Sequence, residues 1–534
     1  MKTKSYILAA ALVLGLAGCS LDQEPSGSTI TKKQYDNMDD KVAGTVNGVY
    51  SLLYAFGGEH DAFGLRSIDM YGDLLCGDMA MKTQRYGWFN SDELGQTYQR
   101  RSYFWSFYYN IIRQCNLALN VVEADGKPTI SFDAATITDE QYAKGYYYAE
   151  LLTLRGWAYS SLLRFFTAAN DVDINTELSI PIYTEADTKD DSTLGAPRST
   201  MTSVFMRVEE DLLQAIAYFT AYNQLSRGKN KLHVNIDVAR MVLAYSYLNK
   251  GVLESSDATN KEKDFTNAIR YVDDLLGATT AQILPQAEVL TNGFNNVDTK
   301  SWIWGETVTV ENTTGLASFF GQCDIYSYSY ASAGDIKGID EVLFDEVKAL
   351  GWDIREGWWN NYATKNPNMS TFQYAPDGKF FSAKSTTLSG DRDWLSDNVF
   401  MRIELAYLIG AEAAYRNNDY TKAITYLTTL TDQRVKPTTE AQTAYDTFKA
   451  GLTDADVLKT AIRYNWRVEL WGEGYGLQTF KRWNESVKLG NSRLRTNKTL
   501  TPSATSRLFT FELPTSETRY NPFINSTTEL TKKQ

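Results

Sequence analysis

Ala239-Arg-Met-Val-Leu-Ala-Tyr-Ser-Tyr-Leu248, followed by Phe265-Thr-Asn-Ala268-Ile269-Arg-Tyr271, has an echo later in the chain. There Leu405-Ala-Tyr-Leu-Ile-Gly-Ala-Glu-Ala-Ala-Tyr415 is followed by Tyr420-Thr-Lys-Ala423-Ile424-Thr-Tyr426, in the same aromatic-x-x-Ala-Ile-x-Tyr register. Apolar residues three and four apart predict helices. Alanines at fixed offsets let two such helices approach closely as an antiparallel pair, the unit from which tetratricopeptide arrays are stacked. The full repeat consensus is absent, so these are degenerate helical hairpins. The pattern predicts a mainly α fold: a tetratricopeptide-like helical-hairpin scaffold with a loop-rich, mostly irregular second half.

Working outward, helical periodicity recurs in Tyr35, Met38, Val42, Val46, Val49, Leu52 and Leu53, then over 101–123, 139–166 and 202–222, where Ser199 or Thr200 is the expected N-cap. The scaffold thus takes about 31–56, 101–276 and 398–490 of a single body spanning 31–534. Arg155 falls inside an apolar stripe and needs a carboxylate or carbonyl partner, which predicts a structural ion pair. Two stretches break the pattern, about 57–99 and 280–397. The first reads as a long loop rich in Gly, Asp and aromatics, and loops of that length are usually functional or disordered. In the second, Trp302-Ile-Trp304 and Thr307-Val-Thr-Val310 read as strands, with both tryptophans in the core. Tyr326, Tyr328 and Tyr330 alternate, which places all three on one face of an extended segment.

The N-terminus has a basic start at Lys2 and Lys4, an apolar run from Tyr6 to Leu16 and then Leu16-Ala17-Gly18-Cys19. The run is too short to span a bilayer, and the layout is that of a secretory signal. Small residues before a lone Cys resemble the lipobox of bacterial lipoproteins, which makes 1–18 a lipoprotein signal peptide, Cys19 the lipidated residue and 19–30 a polar tether. Removing 1–18 takes away two lysines and no acid, so the formal charge moves from -12 to -14. A body that acidic does not track a phosphate backbone, which excludes nucleic acid as a partner. Cys76, Cys115 and Cys323 suggest neither a disulfide framework nor a zinc site. Asp173 and Asn175 follow Asp171 as in a calcium loop, but Thr176 and Ile182 replace its required Gly and Glu, so no metal or cofactor is expected. With 34 Tyr, 24 Phe and 12 Trp against two His, the composition favours binding by stacking over acid-base chemistry.

Four groups of residues, in order along the chain, resemble the SusD/RagB family of outer-membrane glycan-binding lipoproteins. They are Leu154-Arg155-Gly-Trp157-Ala158-Tyr159 with Arg164-Phe165-Phe166; Pro197-Arg198-Ser199-Thr200 with Asp211-Leu212 and Ala215-Ile216; Arg402 and Glu404 with Ala411-Glu412-Ala413; and Arg467-Val-Glu469-Leu470 with Gly472-Glu473-Gly474 and Phe480-Lys481-Arg482-Trp483. Tyr475-Gly476 stands where the family often has His-Arg, and Thr167-Ala168 follows Phe166 where a Gly is common. The resemblance implies a SusD-like α-α superhelix. It also implies a lipid-anchored outer-membrane protein facing the cell exterior, which captures oligosaccharide for a SusC-like TonB-dependent transporter and is not an enzyme. The family's glycan face draws on the early loop and the central insertion. Here those hold Asp78, Arg85, Tyr86, Trp88 and Asn90, and Tyr326, Tyr328, Tyr330, Trp358, Trp359 and Tyr362. The alternatives are the same fold with peptide or glycopeptide cargo, or a surface glycoside hydrolase acting through paired carboxylates.

Overall fold

The computed structural model describes residues 41–81, 83–89, 100–124, 126–133, 135–167, 172–188, 195–222, 230–254, 257–292, 294–326, 328–359, 374–381, 394–490, 499–502 and 509–525. The signal, Cys19 and the tether therefore lie outside the described residues.

Helices dominate. In chain order they are α1 (Lys41–Ser51), α2 (Leu65–Cys76), α3 (Arg100–Glu123), α4 (Asp139–Phe166), α5 (Met201–Tyr222), α6 (Ile236–Leu253), α7 (Ala258–Leu276), α8 (Phe319–Cys323), α9 (Glu341–Ala349), α10 (Glu404–Arg416), α11 (Tyr420–Thr431), α12 (Thr439–Gly451), α13 (Ala455–Glu469), α14 (Gly476–Trp483) and α15 (Thr515–Tyr520). The two copies of the sequence repeat are the hairpins α6–α7 and α10–α11, as the alanine spacing predicts. Ala268 and Ala423 are fully buried. The close approach also rests on two glycines: a Cβ on Gly251 would lie 2.9 Å from the Phe265 ring, and one on Gly410 2.9 Å from the Tyr426 ring. Each second helix starts at a capping aspartate, Asp257 or Asp419, whose carboxylate accepts first-turn amide hydrogens. A Thr138–Gln141 capping box starts α4, and Thr200 accepts from the Ser203 amide at the start of α5. Arg155 on α4 pairs with Asp211 of α5 at 2.7 Å and with Glu185 at 2.6 Å, the structural role its position demands.

The strands are short and paired two by two: β1 (Met79–Met81) with β5 (Lys337–Ile339), β2 (Leu178–Pro181) with β3 (Arg198–Thr200), β4 (Trp302–Glu306) with β6 (Asn398–Arg402), and β7 (Val487–Lys488) with β8 (Thr499–Leu500), all antiparallel. Trp302 and Trp304 are buried on β4. The strand stops at Glu306, however, because the Val308 amide turns to Asp397 and the Thr309 amide to Asn312, so Thr307–Val310 is a turn and not a strand.

A larger correction concerns the early loop, which contains α2, a helix every residue of which is buried. Sequence periodicity misses it because a helix packed all round has no polar face and this one carries Arg66, Asp69 and Asp73 inward. Asp73 accepts amide hydrogens from Gly472 at 2.6 Å, Gly476 at 3.0 Å and Gly474 at 3.3 Å, which docks α2 on the turn before α14. Gly474 has φ +82°, and a Cβ there would lie 2.4 Å from Asp69 Oδ1, so this contact requires a glycine; Gly472, at φ +78°, is held to glycine by the Phe380 ring, 2.5 Å from where its Cβ would stand. Burial, reinforced by the nearby Asp78 charge, pushes the Asp73 carboxyl up to about 7 against the pull of its three amides. No helix among the described residues is long and apolar enough to cross a membrane.

Candidate functional site

The two irregular stretches meet. β1 of the early loop pairs with β5 of the central insertion in the register Met79↔Ile339 to Met81↔Lys337. Beyond β1 the chain is held by one buried carboxylate: Asp335 accepts the Arg85 amide on Oδ1 and the Tyr86 amide on Oδ2, the second at 3.0 Å. Arg85 Nη1 donates to the Ala333 carbonyl at 3.0 Å and Thr83 Oγ1 to that of Gly334 at 2.5 Å. Residues some 250 positions apart are thereby fixed as one surface.

Aromatic rings cover that surface. His60 lies nearly parallel to Trp88, with centroids 5.3 Å apart and planes 17° apart, and Tyr330 meets His60 edge-on at 5.7 Å. Tyr330 Oη and His60 Nδ1 are hydrogen-bonded at 2.8 Å, while Gln322 donates to the His60 carbonyl at 2.7 Å. Tyr86 packs edge-on to Tyr330 at 5.2 Å, and Phe56 edge-on to His60 at 6.3 Å. Partial burial raises the Tyr330 phenol above its usual range, so it stays a neutral hydrogen-bonding group. Phe56, Tyr86 and Tyr328 are 51%, 45% and 74% exposed, with Trp88 and Tyr330 half-buried between them. Exposed flat rings backed by fixed polar groups can stack on the apolar face of a ligand ring and hydrogen-bond its hydroxyls.

Five of the residues singled out in the sequence, Arg85, Tyr86, Trp88, Tyr328 and Tyr330, therefore lie on or beside one open surface. Asn90 and Tyr362 lie outside the described residues. The others are elsewhere. Asp78 is buried and ion-paired with Arg467 at 2.8 Å, and its carbonyl accepts from the Trp471 indole at 2.9 Å, so it holds the loop to α13 and reaches no solvent. Tyr326 is buried because the chain turns at Asp324, whose carboxylate accepts the Tyr326 amide at 2.8 Å; the three tyrosines do not share an extended face. Trp358 and Trp359 are fully buried. Trp358 donates to the Val289 carbonyl at 3.0 Å, and Trp359 packs edge-on to Trp471 at 5.5 Å. Two ring-bearing residues of the surface were not among the candidates: Phe56, which closes an amphipathic helical run, and His60, which has no catalytic partner in the sequence and acts here as a flat ring.

Beside the two buried tryptophans sits an ionic network built from the later motif residues. Glu469 receives Arg402 at 2.7 Å, Arg434 at 2.8 Å and Arg355 at 2.9 Å, and Glu473 receives Lys379 at 2.7 Å and Arg402 at 2.9 Å. All six side chains are buried. Burial alone would raise the Glu469 carboxyl, but Arg434 and Arg402 hold it well below the carboxylate range, while burial lowers the Lys379 ammonium to about 8. Lys379 Nζ lies 4.8 Å from the Trp358 ring, which helps shield the charges. Every partner here is satisfied within the protein, so these charges hold the fold.

Comparison with known proteins gives a consistent picture. A family profile described as "Starch-binding associating with outer membrane" matches residues 21–235, and one described as "SusD family" matches residues 286–522. Among solved structures, a SusD-like carbohydrate binding protein from Bacteroides vulgatus is 21% identical with TM-score 0.67, the match covering 91% of this chain and 96% of that one. A SusD superfamily protein from Bacteroides thetaiotaomicron is 18% identical with TM-score 0.69, covering 91% and 98%. One from Bacteroides fragilis is 19% identical with TM-score 0.65, again covering 91% and 98%. No curated protein matches the chain. Two profiles of one family, matched in chain order on either side of the α6–α7 hairpin, together with the helix-dominated fold that the solved structures share, assign the chain to the SusD/RagB family.

Proposed function

We propose that this protein captures oligosaccharide by stacking it on the Phe56, Tyr86, Trp88, Tyr328 and Tyr330 surface and passes it to a SusC-like TonB-dependent transporter. Lipid on Cys19 holds it at the outer membrane facing the exterior, and it breaks no glycosidic bond itself. The observation that carries the reading is the arrangement of the rings. Phe56, Tyr86 and Tyr328 are exposed and Trp88 and Tyr330 half-buried, they come from two distant segments, and Asp335 fixes those segments together. Each ring stacked on a sugar contributes on the order of 1 kcal/mol. Three rings with a few hydrogen bonds, less the cost of ordering the ligand, give a dissociation constant roughly between micromolar and millimolar. Affinity in that range suits a protein that must release what it catches.

Affinity electrophoresis in polysaccharide-containing gels tests this. The Trp88→Ala/Tyr330→Ala protein is expected to migrate unretarded in the gel that retards the native protein, while still melting cooperatively within about 5 °C of it. Equal retardation overturns the assignment of the surface. Reducing ends released from the same polysaccharide by the purified protein would replace the binding reading with a hydrolytic one.

A further inference from the structure

A second concavity of about 400 Å³ opens between α3, residues 182–188 beyond β2, and α15. It shares no residue with the ring surface described above. That volume is within the usual range for small-ligand sites, roughly 300–1,000 Å³. Its aromatic floor is rigid. Trp105 and Tyr109 of α3 pack with centroids 4.5 Å apart, Tyr183 stands edge-on to Tyr109 at 5.8 Å, and Tyr109 Oη donates to the Pro181 carbonyl at 2.7 Å. At the rim Tyr520 is 74% exposed, and Glu517 of α15 accepts from Asn521 at 2.6 Å, which in turn donates to the Ala196 carbonyl at 2.8 Å.

We propose that this cleft is a second carbohydrate site, taking one or two units of a neutral oligosaccharide. The lining combines ring faces with amide, hydroxyl, guanidinium and carboxylate groups, the combination a pyranose needs on its apolar and hydroxyl-bearing sides. Asp187 and Glu517 outnumber the one guanidinium, Arg113, so an anionic ligand is disfavoured. The walls are tied to three separate segments by hydrogen bonds, so the cleft is formed before ligand arrives and little ordering cost opposes binding. The ligand class rests on the carbohydrate reading above. A second contact on the same molecule would let a long chain bind at two points and gain avidity.

Saturation-transfer NMR with a panel of neutral tetra- to hexasaccharides cut from starch, mannan, xylan and galactan separates the two sites. The Trp88→Ala/Tyr330→Ala protein is expected to keep a signal for at least one panel member, at roughly ten-fold or weaker affinity than the native protein. Adding Tyr520→Ala/Glu517→Gln should abolish it, with thermal melting confirming that each variant is folded. No signal from the Trp88→Ala/Tyr330→Ala protein, or a signal that survives the added pair, overturns the cleft. In the first case, retained native binding leaves the ring surface standing. Native binding undiminished by Trp88→Ala/Tyr330→Ala removes the ring surface as the site and leaves the cleft to be decided by the added pair. A native protein that binds no panel member overturns both.

Discussion

Trp358 and Trp88 occupy similar sequence surroundings, irregular stretches rich in glycine, asparagine and other rings, yet one is sealed and the other half open. The difference lies in what stands next to each. Trp358 belongs to the turn Ile354–Trp358 that carries Arg355 into the ionic network, and its ring lies 4.8 Å from the Lys379 ammonium. Charges that deep must be screened from water, and the tryptophans on that segment are part of the screen. Trp88 follows Arg85 and Tyr86, whose backbone amides are spent on the buried Asp335 while Tyr86 itself stays exposed, so the Trp88 ring lies beside other rings on an open face. An aromatic residue in a loop is therefore placed by the polar groups of its own segment: where charged side chains pair in a buried network the ring closes over them, and where only backbone amides are spent on tying two loops together the ring stays available.

The sharpest way to break this contrast is to remove the centre of the buried network. Glu469→Ala leaves Arg355, Arg402 and Arg434 facing one another without their shared carboxylate. Breaking a single buried pair costs about 3–5 kcal/mol, and this change breaks three, so soluble expression is expected to fail or the urea midpoint to collapse. A variant of near-native stability would show that the network does not hold the fold.

The paired comparison comes next. Trp358→Ala empties a fully buried ring site and is expected to cost about 3–5 kcal/mol in denaturant unfolding. Trp88→Ala, half-buried, should cost under about 1.5 kcal/mol while weakening saccharide binding. The reverse ranking would mean that the exposures assigned to the two tryptophans are exchanged.

These two regions also mark how far the sequence could be read. The hairpins were legible because Ala268 and Ala423 recur in one register, and a helix half-covered by neighbours keeps its periodicity. The burial of Trp302 and Trp304 followed from a strand-like run. The meeting of the early loop with the central insertion came from the resemblance, and Arg85, Tyr86, Trp88, Tyr328 and Tyr330 fall together there. By contrast, α2 left no trace because it is buried all round and carries Arg66, Asp69 and Asp73 inward, Arg66 paired with Asp69 within the helix and Asp73 satisfied by amides of a segment far along the chain. Trp359 and Tyr326 could not be separated from Tyr328 for the same reason: composition is local, and burial is decided by contacts with remote segments.

A titration sharpens the contrast further. Burial raises the Glu306 carboxyl, at the end of β4, to about 7, despite the hydrogen bond from Asn398 at 3.1 Å. Below its unfolded pKa, about 4.3, both states are protonated. Between there and about 7 the folded state keeps a proton that the unfolded state has lost, so the group's stabilising contribution falls as pH rises through that window. Glu306→Gln keeps an acceptor for Asn398 and removes the titration. Relative to this variant, the native protein is expected to lose on the order of 3 kcal/mol of unfolding free energy between pH 4 and pH 8. Parallel pH profiles would place the Glu306 carboxyl in contact with water, against its burial at the end of β4.

The smallest effect belongs to the most exposed ring. Tyr328 is 74% exposed, so its removal uncovers almost no new apolar surface, and Tyr328→Ala should change unfolding free energy by less than about 0.5 kcal/mol. A stacked ligand ring would lose one platform, about 1 kcal/mol, and affinity should fall roughly five-fold in calorimetric titration. Tyr328→Phe separates the two ways a tyrosine can contribute: it keeps the ring face and removes the hydroxyl. Native affinity in the Phe variant with loss in the Ala variant identifies stacking. Equal loss in both would mean that the hydroxyl alone contacts the ligand and that the exposed face, the property on which the contrast with Trp358 rests, plays no part in binding.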